Sequence, residues 1–524
     1  MADAVVIGAG PNGLVAANVL ADAGWEVLVL EAQPEPGGAV RSGPLTLPGF
    51  THDRFSAFYP LGAASPHLAR LRLEEHGLRW RAAPVALADP LEDGTAAILS
   101  RDLGETCASV DLAARGDGAA WRELMTWWDG IGPRLLAALL DPFPPVRRGA
   151  RLALALGGPR SLLGFARLGL LPVRRFAAER FRGDAAARLL AGNALHTDIG
   201  PDTPGGALYG MVLAGLGQQI GWPVPEGGAG RLTDALVARL RSRGGRVECG
   251  ARVERILVRH GRAAGVRTGD GREAAARRAV LASTGAPQLY LELLEREHVP
   301  ARVLAAIRRF EYDTGTVKVD WALDGPIPWA APEVARAGTV HVTGGLDDLA
   351  AQAAELARGL VPARPFLVLG QYAHFDPARQ PEGKETAWAY THVPQRVAAD
   401  GGPDGLGGRW DRAELETIAA RIEARLEAVA PGFSARVLKR HVAGPHELQA
   451  ADANLVGGAL NGGTAQLHQQ LVLRPVPGLG RTETPVRGLY LASASAHPGG
   501  GVHGACGANA ARAALVHARL SLRR

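Results

Sequence analysis

Residues 4–32, AVVIGAGPNGLVAANVLADAGWEVLVLEA, constrain this chain more than any other stretch. The apolar run 4–7 reads as a buried strand. Gly8, Gly10 and Gly13 follow in G-x-G-x-x-G spacing. A helix is predicted over 14–23 and stopped by Gly24, and a second parallel strand over 26–30 ends at Glu31. Each position has a task in a dinucleotide-binding turn. Gly8 permits the tight turn, Gly10 lets a pyrophosphate approach the backbone, and Gly13 lets the helix pack close to the strand. The helix N-terminus offers free N–H groups and partial positive charge to phosphates. Glu31 would accept hydrogen bonds from an adenosine ribose and oppose a 2′-phosphate, which disfavours NADP. Glycine spacing alone says little in a chain with 68 glycines. Strand, turn, helix, strand and terminal acid in register say much more.

A length of 524 residues implies two or more structural domains. The net charge of +6 is mild, and no basic run is interleaved with aromatics, so nucleic-acid binding is not expected. Cys107, Cys249 and Cys506 lie far apart without C-x-x-C spacing. That argues against a disulfide-reductase mechanism and for a reducing compartment. No basic n-region precedes the first strand, so no cleaved signal peptide is expected and the location reads as cytoplasmic. The longest uncharged stretch, 203–225, is rich in Gly and Pro and reads as a buried helix and turn, not a membrane span.

Further along, PEPGGAVRSG (34–43) places Gly37, Gly38 and Arg41 beside the expected pyrophosphate. Residues 76–224 read as mostly helical and irregular. Within them, 133–181 alternates apolar runs with arginines, as in a lid over an apolar substrate, an interfacial membrane patch or ordinary amphipathic helices. From 223 to 283 a helix (232–240) and short strands (246–249, 252–258, 264–268, 280–282) signal a return to the nucleotide domain. Strands 316–323 and 366–372 and a helix at 412–429 belong to a substrate domain. The expected division is 1–75, 223–290 and 481–524 for the nucleotide domain. Residues 76–222 and 291–480 form the substrate domain with its helical lid.

The segment GLYLASASAHPGGGVHGACGANAARAALVHARL (488–520) adds a strand at 489–492, a flexible turn at 498–501 and a small-residue helix from about 502. Together with 4–43 and 223–283 it resembles the phytoene-desaturase-like branch of the FAD-dependent amine-oxidase superfamily. More closely it is similar to bacterial NAD(P)/FAD-dependent oxidoreductases; LPGFTHDRFSAFYPLGAASP (47–66) also resembles that group. The resemblance implies an α/β fold: a discontinuous Rossmann-like FAD-binding domain plus a mixed α+β substrate domain. It implies one non-covalent FAD. Gly8, Gly10 and Gly13 would hold the pyrophosphate, Glu31 the ribose, and Gly38 and Arg41 the phosphate side. Val253 would meet the adenine, and Gly500, Gly501 and Val502 the flavin ring. Pro11, Asn12, Ala32, Gly37 and Ser283 complete the expected cofactor site. A helix starting near Val502 would aim its N–H groups at the negative charge of reduced flavin.

The implied activity is that of an FAD-dependent oxidoreductase dehydrogenating or desaturating a largely apolar small molecule by hydride transfer to flavin N5. Oxygen, a quinone or another carrier would take the electrons. Two alternatives stay open: an amine or amino-acid oxidase releasing hydrogen peroxide, with Trp410, Tyr372 and Phe375 as candidate cage aromatics, and an FAD-free escort of a lipid or partner. His503, His52 and Tyr59 are the candidate catalytic residues, with His503 as a general base; Asp53 is expected near the ring. His446, Asp452, His468 and Gln470 are candidate pocket residues. No cluster has metal-ligand spacing, and no G-x-S-x-G elbow is present. Peripheral contact with a membrane is the remaining expected partner.

Overall fold

A computed structural model describes residues 1–521. Two seven-stranded sheets organise it. In the first, Ala2–Ile7 lies parallel to Val27–Leu30 on one side and to Glu273–Ala282 on the other. Arg246–Glu248 extends one edge, and Leu489–Leu491 joins Glu273–Ala282 in parallel. Every residue of Ala2–Ile7 and Val27–Leu30 is buried, which requires cover on both faces. Side chains of Pro11–Asp22, Gly230–Ser242 and the C-terminal helix Ala505–Ser521 cover one face. The antiparallel strands Val253–Arg259 and Arg262–Thr268, with residues 286–307, cover the other. Val303, Leu304 and Ile307 pack here, past the expected boundary at 290.

The second sheet runs Val437–Ala443, Gly315–Leu323, Glu385–Val393, Leu367–Gln371, Ala337–Val342, Val85–Pro90, Ala96–Ser100. Successive side chains point to opposite faces of a strand. Val317, Val319, Trp321 and Leu323 therefore pack with Ile418, Ile422 and Leu426 of helix Arg412–Val429. Thr316, Lys318 and Asp320 point the other way. That face is roofed by a helical layer that includes Asp117–Leu139, Val146–Leu156, Pro159–Leu168, Ala185–Ala194 and Gly206–Ile220.

Two readings of the sequence need correction. The stretch expected to be helical and irregular holds the strands Val85–Pro90 and Ala96–Ser100. They are buried almost throughout and so lack the alternation that marks a half-exposed strand. The C-terminal helix begins at Ala505, not near Val502. Among the described residues no helix is long and apolar enough to cross a membrane.

Candidate active site between the two sheets

A single cavity of about 1,320 Å³ runs from the glycine turn, past residues 500–503, to the helical layer. At the turn, Gly8 has φ +91°, a conformation only glycine adopts without strain. A Cβ on Gly13 would stand 2.1 Å from the Gly8 carbonyl oxygen, so its absence sets the helix-to-strand distance. A Cβ on Gly10 would approach nothing closer than 3.9 Å, which leaves room for a ligand. Glu31 accepts from the N–H of Ala9 at 2.7 Å and of Gln33 at 2.9 Å, which orients its carboxylate on the cavity wall. Asn12 lines the same end with a buried, unpartnered Oδ1. A helix N-terminus, an open approach at Gly10, an orphaned polar atom and an oriented carboxylate fit a dinucleotide. Pro11, Ala32, Gly38, Val253 and Ser283 also line this end, as does Arg252, which the sequence reading missed.

Arg41 and Gly37 do not line the cavity. The Arg41 guanidinium donates to the carbonyls of Gly38 at 2.9 Å and Ala451 at 2.7 Å, clamping the loop from behind. Gly37 holds that loop by its positive φ and an N–H bond to Ala9.

Gly500, Gly501, Val502 and His503 line the middle of the cavity. No N–H of residues 500–502 is spent on another backbone carbonyl, so donors are available where helix N–H groups were expected. A Cβ on Gly500 would stand 2.5 Å from Asn461 Oδ1. His503 is not placed as a general base. Its Nδ1 accepts from the N–H of Ala505 at 3.0 Å, capping the C-terminal helix. Burial pushes the imidazole down to about 4, against the opposing pull of the Gly500 and Gly499 backbone. His497 likewise faces the Asp141 carbonyl at 3.1 Å.

The other two catalytic candidates are also structural. Tyr59 lines the cavity, but its hydroxyl donates to the Ser56 carbonyl at 2.8 Å. Burial, then the nearby Asp53 charge, raises the phenol far above its usual range, so it holds its proton. His52 is fully buried behind the wall, with Nε2 2.7 Å from Thr46 Oγ1 and Nδ1 3.5 Å from Asp320 Oδ1. Asp53 is also behind the wall, pairing with Arg379 at 2.6 Å.

Of the substrate candidates, His446 and Gln470 line the cavity; Gln470 donates to the Thr464 carbonyl at 2.7 Å. Asp452 lines it near Gly38. His468 does not: it is exposed and faces Glu311 at 3.0 Å. Trp410, Tyr372 and Phe375 lie outside the cavity wall, and Trp410 belongs to the opposite face of the second sheet. What the sequence reading passed over is Lys318. Its amine sits against Asp320, 5.6 Å from the Trp388 ring centroid, and the residue lines the cavity while only 3% exposed. Burial alone would raise the Asp320 pKa, but Lys318 and His52 outweigh it and hold the carboxylate below its ordinary value. The available signal was a polar alternation, Thr316, Lys318, Asp320, inside an otherwise apolar strand.

Comparison with known proteins places this geometry. The description "NAD(P)-binding Rossmann-like domain" matches residues 6–71, and "Flavin containing amine oxidoreductase" matches residues 176–515. The chain belongs to the flavin-containing amine oxidoreductase family. It falls in the phytoene-desaturase-like branch of that superfamily and is a flavin-dependent oxidoreductase. It is 31% identical to pyridine nucleotide-disulfide oxidoreductase domain-containing protein 2 of Mus musculus, over 97% of this chain and 92% of that one. It is 26% identical to the lycopene-forming phytoene desaturase of Pseudescherichia vulneris, over 98% and 99% of the two chains. An oxidoreductase from Methanosarcina mazei shares the fold with a TM-score of 0.63 at 18% identity, over 98% of this chain and 99% of that one.

Proposed function

We propose that this flavoenzyme binds FAD non-covalently and dehydrogenates or desaturates a largely apolar small molecule. The observation that carries this reading is the continuity of the cavity. It passes from a dinucleotide-shaped end to a chamber walled by Leu135, Leu139, Leu152, Phe165, Leu208 and Val212. At about 1,320 Å³ it exceeds the roughly 300–1,000 Å³ of a pocket for one ligand, as a cofactor and a substrate together require. When bound, FAD supplies hydride acceptance at N5. The chain's part is to orient the substrate along the apolar walls, exclude water, and present the Lys318 ammonium, held by Asp320, to the chamber.

Oxygen, a quinone or another carrier would complete the cycle. Substrate entry from a lipid surface is consistent with the helices Val146–Leu156 and Pro159–Leu168. They expose Val146, Leu154 and Leu163 beside Arg147 and Arg151, and reach the cavity through Leu152 and Phe165. The amine-oxidase reading loses the cage it names, because Trp410, Tyr372 and Phe375 lie outside the cavity, and other aromatics, Tyr209, Trp222, Trp388 and Tyr390, line it instead. The escort reading is disfavoured by a nucleotide end with every glycine in place.

The visible spectrum of purified protein, before and after denaturation, tests the cofactor: free FAD in the supernatant is expected. Anaerobic mixing with apolar candidates, followed at the flavin bands, tests the reaction. Bleaching by amines and by no apolar compound would refute this reading.

A further inference from the structure

Where the helical layer meets the second sheet, the apolar chamber has a polar corner. Helix Ala185–Ala194 is buried along its whole length and ends there. Asn193, 1% exposed, lines the cavity, and neither its Oδ1 nor its Nδ2 has a partner. One turn on, His196 also lines the cavity.

Two contacts pin this turn to the sheet. His196 Nε2 lies 2.7 Å from His341 Nε2, and His392 Nε2 lies 2.8 Å from the Leu195 carbonyl. His341 and His392 stand on strands two positions apart. The register His341, Val368, Tyr390, Lys318 runs across four strands of the sheet. Tyr390 lines the cavity from that row, and burial keeps its phenol protonated.

A buried amide with neither atom satisfied is costly, so such groups are normally completed by a ligand or water. The charge of the missing partner follows from what surrounds it. Burial keeps both His196 and His341 neutral, His196 being pushed down to about 3. The ammonium of Lys318 is already neutralised by Asp320. Two of the cavity-lining carboxylates, Glu31 and Asp452, sit beside the glycine turn, and Glu292 lines the adjoining segment near Gln288. Asp313 and Asp198, whose charges act on Tyr390 and His392, lie off the cavity wall and accept from Leu460 and Asn461 and from Thr464 and Ala465. A charged head would be stripped of water at this corner with no free counter-ion on the wall.

We propose that Asn193, on a wall it shares with His196 and Tyr390, binds an uncharged hydrogen-bonding group, a hydroxyl or carbonyl, at one end of an otherwise apolar substrate. The proposal rests on the apolar-substrate reading above and narrows it from a plain hydrocarbon to an amphiphile with a neutral head.

Calorimetric titration of the flavin-loaded protein with dodecane, 1-dodecanol, 2-dodecanone, dodecylamine and dodecanoate tests it. The alcohol and ketone are expected to bind at least about tenfold tighter than the alkane and both charged probes, as one hydrogen bond to a buried group allows. Asn193→Leu should remove that tenfold preference while keeping flavin content and alkane affinity. Equal affinity of the wild type for alkane and alcohol would overturn the proposal and leave the apolar reading standing; Asn193 would then be satisfied by trapped water. Loss of flavin from the Asn193→Leu protein would reassign the residue to the cofactor and also overturn it. Binding of no alkyl probe at all would sink the apolar reading and the proposal together. The head-group series in the wild type decides the matter even where the variant fails to fold.

Discussion

Arg379 Nη1 meets Asp53 Oδ2 at 2.6 Å, with both side chains fully buried. Asp53 lies early in the chain, where its other oxygen accepts from Ser42 and from the N–H of Ala229. Arg379 sits between two strands of the second sheet and also pairs with Asp376 at 2.6 Å, its guanidinium 4.0 Å from the Tyr372 centroid. One ion pair thus ties the N-terminal segment to the second sheet behind the cavity wall.

Breaking a buried pair from one side strands the remaining charge. Arg379→Met is expected to destabilise the protein by about 3–5 kcal/mol. Urea unfolding followed by tryptophan fluorescence would read this as a lowered midpoint. An unchanged midpoint would mean that Asp53 finds another partner.

His503 carries a pH prediction. Its folded pKa is depressed to about 4 from the ordinary 6.5, so the unfolded chain binds the proton first as pH falls. The stability that a neutral His503 contributes is complete above pH 6.5 and is lost between 6.5 and about 4, by roughly 3 kcal/mol. His503→Asn retains an acceptor for the Ala505 N–H and has no such proton. Its stability should therefore fall less steeply across that window. Parallel curves for the two proteins would remove the capping account.

The same variant separates capping from catalysis. With Nδ1 spent on Ala505, the His503→Asn enzyme should retain flavin and reduce it within about twofold of the wild-type rate. A loss of about 10²-fold in stopped-flow reduction, without loss of flavin, would restore His503 as a base.

Lys318 is expected to behave in the opposite way. Its ammonium is held on the cavity wall by Asp320. Lys318→Met strands the buried Asp320 and should lower stability as Arg379→Met does; in the folded variant, flavin content should stay near normal and anaerobic flavin reduction should slow by about 10²-fold through loss of the positive charge on the wall. Unaltered reduction would make the Lys318–Asp320 pair purely structural.

Gly13 tests the nucleotide turn. A Cβ 2.1 Å from the Gly8 oxygen must push the helix off the strand. Overpacking of this kind costs about 1–3 kcal/mol. Gly13→Ala should purify with little or no visible absorbance. Full flavin occupancy would show that the turn tolerates a wider helix-to-strand spacing.

Local pattern was enough for the first strand, the turn, Glu31 and helix Arg412–Val429, because periodicity and glycine spacing act over a few residues. Strands 85–90 and 96–100 were missed because burial on both faces erases alternation. Arg41 was misread for a related reason: a cation near a phosphate-binding loop looks the same in sequence whether it faces the ligand or grips the carbonyls behind it. His52, His503 and Tyr59 were singled out by residue type; burial behind the wall decided against His52, and hydrogen bonds to the Ala505 N–H and the Ser56 carbonyl decided against His503 and Tyr59.

Residues 4–32 and 488–520 determined by themselves that this chain builds a Rossmann-like nucleotide domain closed by its own C-terminal helix. Steric rules for a glycine turn hold wherever the turn sits. Tertiary structure alone decided which polar groups face the cavity. Asn193 and Lys318 lie 125 positions apart in the sequence and come to the same chamber only when the helical layer closes on the second sheet. Burial and hydrogen-bond partners, set by that closure, leave Asn193 unsatisfied and His503 fully used.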